Sequence, residues 1–235
     1  MSTTPRPRSA LLTKLATSVR AAPPLLRAPV VLPNPLHVHT PRLLLRPLAE
    51  TDREEFTALL RESRTHLARH LPLHRDAESD TVVFERQLAY SRGALATGLA
   101  WRRVVCLREG PIIGAVNLND ITPEPDRTAE MNFWIGPRHA GLGLCAEAMR
   151  AMLHHALSRT PNGLGLAAVW GYIAPDNDRC LRLLDRLGFT RNERALPVQL
   201  NLDNRWVTHH AYTKRAPATT IALQRLVAGR TMTAY

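Results

Sequence analysis

A strand-like run from Glu130 to Ile135 passes through Gly136-Pro137 into Arg138-His139-Ala140-Gly141-Leu142-Gly143, which opens a strongly helical segment, Leu142 to Arg159. A strand, a glycine turn and a helix in that order place a helix N-terminus at the end of a sheet strand. A turn without side-chain bulk lets backbone N–H groups approach an anion, and the helix adds partial positive charge there. The turn is therefore a candidate pyrophosphate cradle, with a plain tight turn as its structural alternative.

The surrounding pattern predicts a mixed α/β sheet. Leu43, Leu44 and Leu45 form an extended run ending at Arg46-Pro47. Asp52 is placed to cap a helix through Arg61, and a second helix runs from about Glu78 to Ala96 with Val82, Val83, Leu88 and Leu95 as its apolar members. Trp101 to Leu107 and Ile112 to Ile121 read as a hairpin across Arg108-Glu109-Gly110-Pro111. Leu144, Ala148, Met152 and Leu153 share one side of the helix after the glycine turn. Leu166 to Ile173 reads as a buried strand, and Asp176 to Leu187 as a helix capped by Asp176 and ended by Gly188. Val198 to Leu202 and Trp206 to Thr213 close the pattern as a hairpin across Asp203-Asn204.

Composition removes several classes. No window of the 235 residues offers the run of about 18 apolar residues that a membrane span needs. Cys106, Cys145 and Cys180 lie far apart with no C-x-x-C pair, which suggests neither a disulfide framework nor a cysteine metal site and fits a reducing cytoplasm. The formal charge of +11 invites a nucleic-acid reading, but residues 1–49 hold seven Arg or Lys and no acidic residue. Residues 50–235 hold 24 basic against 20 acidic residues, so the charge describes a leader rather than a binding face, and nucleic acid is not expected as a partner. Residues 1–37 read as a Pro-, Ala- and Arg-rich disordered extension, residues 38–214 as the folded domain and residues 215–235 as a tail with helical spacing that could pack on the domain or on a second copy.

Gly141-Leu142-Gly143-Leu144-Cys145-Ala146 also satisfies the dinucleotide fingerprint, but the stretch from Pro161 to Leu166 supplies no acidic residue to hold a ribose. His66, His70 and His74 share a helical spacing that Pro72 interrupts, and no metal is expected there. His154 and His155 are expected on the exposed side of their helix, and Trp101, Trp134, Trp170 and Trp206 in strands packed in the core.

The R-x-x-G-x-G turn of Arg138 to Gly143, Glu147-Ala148 on the following helix, and Asn177 followed by Leu187-Gly188-Phe189 resemble the acetyl-CoA motifs of the GNAT acetyltransferase superfamily. His39-Thr40-Pro41-Arg42-Leu43, Ile113-Gly114, Ala129-Glu130 and Asn204-Arg205-Trp206-x-x-His209 are similar to its branch that acetylates ribosomal-protein N-termini. The resemblance covers about residues 38–214. It implies a twisted sheet of six or seven strands with helices on both faces and a V-shaped split between the fourth and fifth strands.

It also implies roles. Backbone amides of His139, Ala140, Gly141, Leu142, Gly143 and Leu144 would bind the CoA pyrophosphate beside Arg138. Phe133, Trp134 and Ile135 would hydrogen-bond the pantetheine arm, and Asn177 would contact the cofactor from the other side. The implied activity is metal-free transfer of acetyl from acetyl-CoA to an amine: a protein N-terminal α-amine, or alternatively a polyamine, amino acid or antibiotic. A protein that binds acyl-CoA without turnover is a further alternative, suggested by Cys180 in place of the family's serine and by Gln199 where some relatives hold a glutamate.

An ammonium acceptor must lose a proton before it can attack, so a general base is required. Glu130 is the best-placed carboxylate, with His209 as a second candidate. Cys180 and Tyr172 are the candidate donors to the departing thiolate, each with ordinary core packing as the alternative.

Overall fold

The computed structural model describes residues 36–71, 73–75, 78–202 and 205–217. Most of the basic leader, the greater part of the tail and the Asp203-Asn204 turn lie outside the described residues. The elements run β1 (Val38–His39), β2 (Leu43–Arg46), α1 (Arg53–Ala68), α2 (Asp80–Thr97), β3 (Trp101–Leu107), β4 (Ile112–Asn119), β5 (Thr128–Ile135), α3 (Leu144–Leu157), β6 (Ala168–Ile173), α4 (Asp178–Arg186), β7 (Thr190–Arg191), β8 (Val198–Leu202) and β9 (Arg205–Arg215).

The sheet order is β1-β2-β3-β4-β5-β6-β9-β7, with β8 paired to β9 off that path. Nine strands replace the expected six or seven because β1 and β7 are two-residue pairings and β8 extends only β9. All pairings are antiparallel except β5 with β6, as α3 carries the chain across one face between them. That parallel pairing is short: Thr128 faces Ala168, Ala129 faces Val169, Glu130 faces Trp170, and the register ends there. Beyond it Met131–Ile135 keeps its partner β4 and Gly171–Ile173 keeps β9, so the two strands part into a V. The split falls between the fifth and sixth strands once the short β1 is counted.

Alternation along the strands sends one set of apolar side chains to each face. Trp101, Val105, Val116, Leu118, Ala129 and Met131 join Ala148, Met149, Met152 and Leu153 of α3, and Leu184 of α4, in one core. Val104, Cys106, Ala115 and Trp134 join Phe56, Leu60, Val83, Phe84 and Leu88 of α1 and α2 in the other. The expected inner stripe of α3 is buried throughout, whereas on α2 Val83 and Leu88 are buried but Val82 and Leu95 face outward. His155 is 4% exposed, not on the outer side: its ring lies 5.1 Å from that of Trp101, and Arg103 stacks over the same indole. Trp206 is 56% exposed rather than part of the core.

Two caps differ from expectation for related reasons. The Asp52 carboxylate accepts two bonds from Arg46, at 2.7 and 2.8 Å, and one from the Ala49 amide, so it ties β2 to the start of α1 instead of capping the helix. At α4 the cap is Asn177, whose Oδ1 accepts from the Cys180 amide at 3.2 Å, and Asp176 stands outside the helix.

Gly114 sits on β4 opposite Ile135 of β5: a Cβ there would lie 2.1 Å from the Trp134 carbonyl oxygen and 2.9 Å from the Ile135 Cα. Both are backbone atoms and cannot yield cheaply. Gly114→Ala is expected to cost about 2 kcal/mol or more in denaturant unfolding, within the range for overpacking a buried site. A loss under about 0.5 kcal/mol would show that the strands separate freely at this point.

Candidate functional site

The glycine turn follows β5 directly. A short 3-10 turn at Pro137–His139 uses the His139 and Ala140 amides on the Gly136 and Pro137 carbonyls. Gly141 and Gly143 then take φ of +88° and +77°, a region that costs residues with a Cβ but not glycine, and Gly143 becomes the N-cap of α3. Among the described residues the amides from Gly141 to Ala146 meet no protein acceptor. The first turn of a helix cannot satisfy its own donors, so this row is open to phosphate oxygens. Of the turn residues singled out in the sequence, Gly141, Leu142, Gly143 and Leu144 contribute such amides, while His139 and Ala140 donate within the turn. Arg138 is exposed beside it and its Nε lies 2.9 Å from Oε1 of Glu62 on α1.

A strut holds this turn. The Glu147 carboxylate, in the first turn of α3, accepts from Thr40 Oγ1 at 2.6 Å, the Arg42 amide at 2.9 Å and Arg42 Nε at 2.6 Å. Arg42 also donates to the Leu142 carbonyl at 3.0 Å. Burial works to raise the Glu147 carboxyl, but the hydrogen bonds from Thr40 and Arg42 outweigh it and hold it below its ordinary range. Two sequence motifs 105 residues apart are thus one unit, a pairing that neither motif signals alone.

Phe133, Trp134 and Ile135 lie on the arm of the V formed by β5, where no strand among the described residues pairs with the side toward β6. Strand backbone without a partner offers hydrogen bonds to an extended ligand. Trp134 is buried edge-on against Phe56 of α1 at 6.0 Å, and Phe133 packs on the opposite core. Asn177 stands past the end of β6, on the other side of the opening, with its carboxamide oxygen committed to the α4 cap.

Glu130 occupies the last register position before the strands part. Burial, with the negative charge of Asp120 added, pushes its carboxyl up to about 7. Tyr172 is two residues further along β6 on the same face as Glu130 and Trp170. Burial and then the Glu130 charge raise its phenol above the ordinary value, and its ring stands edge-on to Trp170 at 5.5 Å. Cys180 reaches in from the first turn of α4, and burial pushes its thiol up to about 12. A thiol that weakly acidic holds its proton firmly and makes an uphill donor to a CoA thiolate near 8.5.

Other candidates separate. Gln199 donates to Thr208 Oγ1 at 2.8 Å on an exposed hairpin face. His209 is buried, its Nδ1 lies 2.9 Å from the Val207 carbonyl and its Nε2 has no partner among the described residues. His74 meets Asp80 at 2.9 Å, and no group of three or more metal-ligating side chains is found among the described residues. A polar row on the α1–α2 side of the sheet was not singled out in the sequence. Arg102, Asn117 and Asn132 face one another across β3, β4 and β5, with Nδ2 of Asn117 2.7 Å from Oδ1 of Asn132. Arg102, Asn117 and Asn132, polar residues inside three strands rich in apolar ones, were the available signal.

Residues 42–190 match the family model described as acetyltransferase (GNAT) domain. The ribosomal-protein-serine acetyltransferase of Escherichia coli (strain K12) is 27% identical over 117 residues, 48% of this chain. The match spans 62% of that relative's length. The crystal structure of a ribosomal-protein-S5-alanine acetyltransferase from Vibrio fischeri superposes with a TM-score of 0.67 at 19% identity, covering 77% of this chain and 97% of that one. A spermidine N-acetyltransferase from Vibrio cholerae, in complex with CoA and spermine, gives 0.61 at 20% identity, covering 75% and 96%. At these identities the structures show a shared fold. No helix among the described residues is long and apolar enough to cross a membrane.

The Glu130 environment has a consequence for stability that needs no ligand. A carboxyl that titrates near 4.5 in the unfolded chain keeps its proton to about 7 in the folded one. The folded state therefore binds more protons between those values, and stability falls as pH rises through that window. Glu130→Gln removes the titration. The variant is expected to exceed the wild type at pH 8 by roughly 1–3 kcal/mol, after allowance for partial exposure, and to lose that advantage at pH 4. Denaturant unfolding at the two pH values checks this, and a difference independent of pH would contradict the assigned environment.

Proposed function

The chain belongs to the GNAT acetyltransferase family, and on that premise we propose that it moves acetyl from acetyl-CoA to the α-amine at a protein N-terminus. The observation that carries the reading is the V that opens immediately after Glu130, with a carboxyl near 7 at its apex and unpaired strand backbone along its arm. The free amides of Gly141 to Leu144 hold the pyrophosphate with Arg138 beside them, and the β5 edge at Phe133, Trp134 and Ile135 aligns the pantetheine arm, with Asn177 opposite.

Glu130 takes the proton from the acceptor ammonium, and its value near 7 suits a base working at neutral pH. The freed nitrogen attacks the thioester carbonyl carbon, a backbone N–H of Trp134 or Ile135 stabilises the oxyanion, and the C–S bond breaks as the C–N bond is kept. The departing thiolate takes a proton from Tyr172, which stands on the same face as Glu130 just beyond the last paired position, while burial makes the Cys180 thiol hold its own proton firmly. As the amide forms, the nitrogen gives its second proton back to the Tyr172 oxygen, and the products are the acetylated amine and free CoA thiol. The α-amine assignment is supported by the relative that acts on ribosomal-protein serine, and a cytoplasmic location belongs to the same reading.

Turnover is measured as release of CoA thiol, with intact-mass spectrometry of ribosomal proteins beside small amines. Acetyl found only on small amines would move the acceptor to that class, and CoA binding without thiol release for any amine would leave a non-catalytic binder. Glu130→Gln is expected to lower kcat by about 10²- to 10⁴-fold and to abolish the rise of rate through pH 7. Cys180→Ala is expected to retain most turnover. Loss of activity in Cys180→Ala with Tyr172→Phe unaffected would reverse the donor assignment.

A further inference from the structure

On the α1–α2 side of the sheet, beside Trp134, lies a small cavity of about 20 Å³ bordered by Arg102, Gln87, Ser91 and Asn117. That is room for one small polar group. Arg102 enters it with a guanidinium that meets only neutral oxygens, Oδ1 of Asn119 and, at 2.6 Å, Oε1 of Gln87, and that stacks over the Tyr90 ring at 5.3 Å. Two of its five N–H groups are so engaged. Among the described residues no carboxylate pairs with it; the Tyr90 phenol favours its charge, and the cation Arg86, itself held by Glu78, opposes it. Burial lowers the guanidinium to about 10, well below its ordinary value. In the same cavity Ser91 is 3% exposed, and its hydroxyl has no hydrogen-bond partner among the described residues.

A partly covered cation without a carboxylate partner, next to a buried and unmet hydroxyl, is a setting that an anion completes. We infer that this cavity is an acceptor subsite for a carboxylate, so that the preferred acceptors carry an acidic group a few bonds from the amine. The inference rests on the acetyltransferase reading of the V. Arg102 stands two strands from β5, a separation of roughly 10 Å at ordinary strand spacing, so an amine at the apex of the V and a carboxylate at Arg102 fit the first residues of an acidic peptide N-terminus. The same charge disfavours polycationic acceptors, which meet a guanidinium where they need a carboxylate.

The test uses the full chain, acetyl-CoA and a pair of tetrapeptide amides that differ only in Glu or Gln at the second position, with spermidine as the third acceptor. The wild type is expected to prefer the Glu peptide at least tenfold in kcat/KM, mainly through KM, and to use spermidine least. In Arg102→Gln the Glu-to-Gln preference collapses toward one, and Arg102→Lys restores part of it. Because the preference is read first in the wild type, a poorly folded variant does not remove the test. Transfer to both peptides with equal KM, or to spermidine as efficiently as to the Glu peptide, overturns the carboxylate subsite and leaves the transfer activity standing. Absence of transfer to every amine overturns the reading on which the subsite rests, and the subsite with it.

Discussion

The parallel contact between β5 and β6 lasts for only three register positions, and the rest of the site follows from its brevity. Each strand is secured on its far side, β5 by β4 and β6 by β9, so neither collapses into the opening. Unpaired strand backbone is costly when dry and useful when a ligand can take it. The V is therefore a hydrogen-bonding surface that the sheet itself cannot consume. Glu130, the last paired position on β5, inherits a half-buried setting from that geometry, and its raised carboxyl is a consequence of where pairing stops.

Two supports keep the opening in register with the glycine turn. Glu147 gathers Thr40 and Arg42 at the N-terminal end of α3, so the chain preceding β2 braces the segment whose amides remain free. The negative side chain in the first turn of α3 is spent on that brace and leaves the helix N-terminus to an outside anion. On the other side, Trp134 and Phe56 lock β5 to α1.

Much of this was legible in the sequence where the signal is local. The bounds Trp101–Leu107 and the inner stripe of α3 follow from alternation and helical spacing, and the glycine turn from its composition. What depended on distant partners was not legible. Asp52 looks like a cap, but Arg46 forms a bidentate pair with it. His155 looks exposed beside His154, but Trp101 of β3 covers it. Asp176 and Asn177 compete for one cap, and only the loop after β6 decides for Asn177. The polar row of Arg102, Asn117 and Asn132 required strand register before three separate polar residues became one surface.

Arg138 meets Glu62 across the gap between the glycine turn and α1. Recruitment of that arginine by a phosphate is an exchange of one anion for another, so its net gain is the difference between two ion pairs rather than the whole of one. The carboxylate released in the exchange belongs to α1. An anion that draws Arg138 to the glycine turn therefore uncovers a negative charge on α1, so the charge that helix presents depends on what the turn holds.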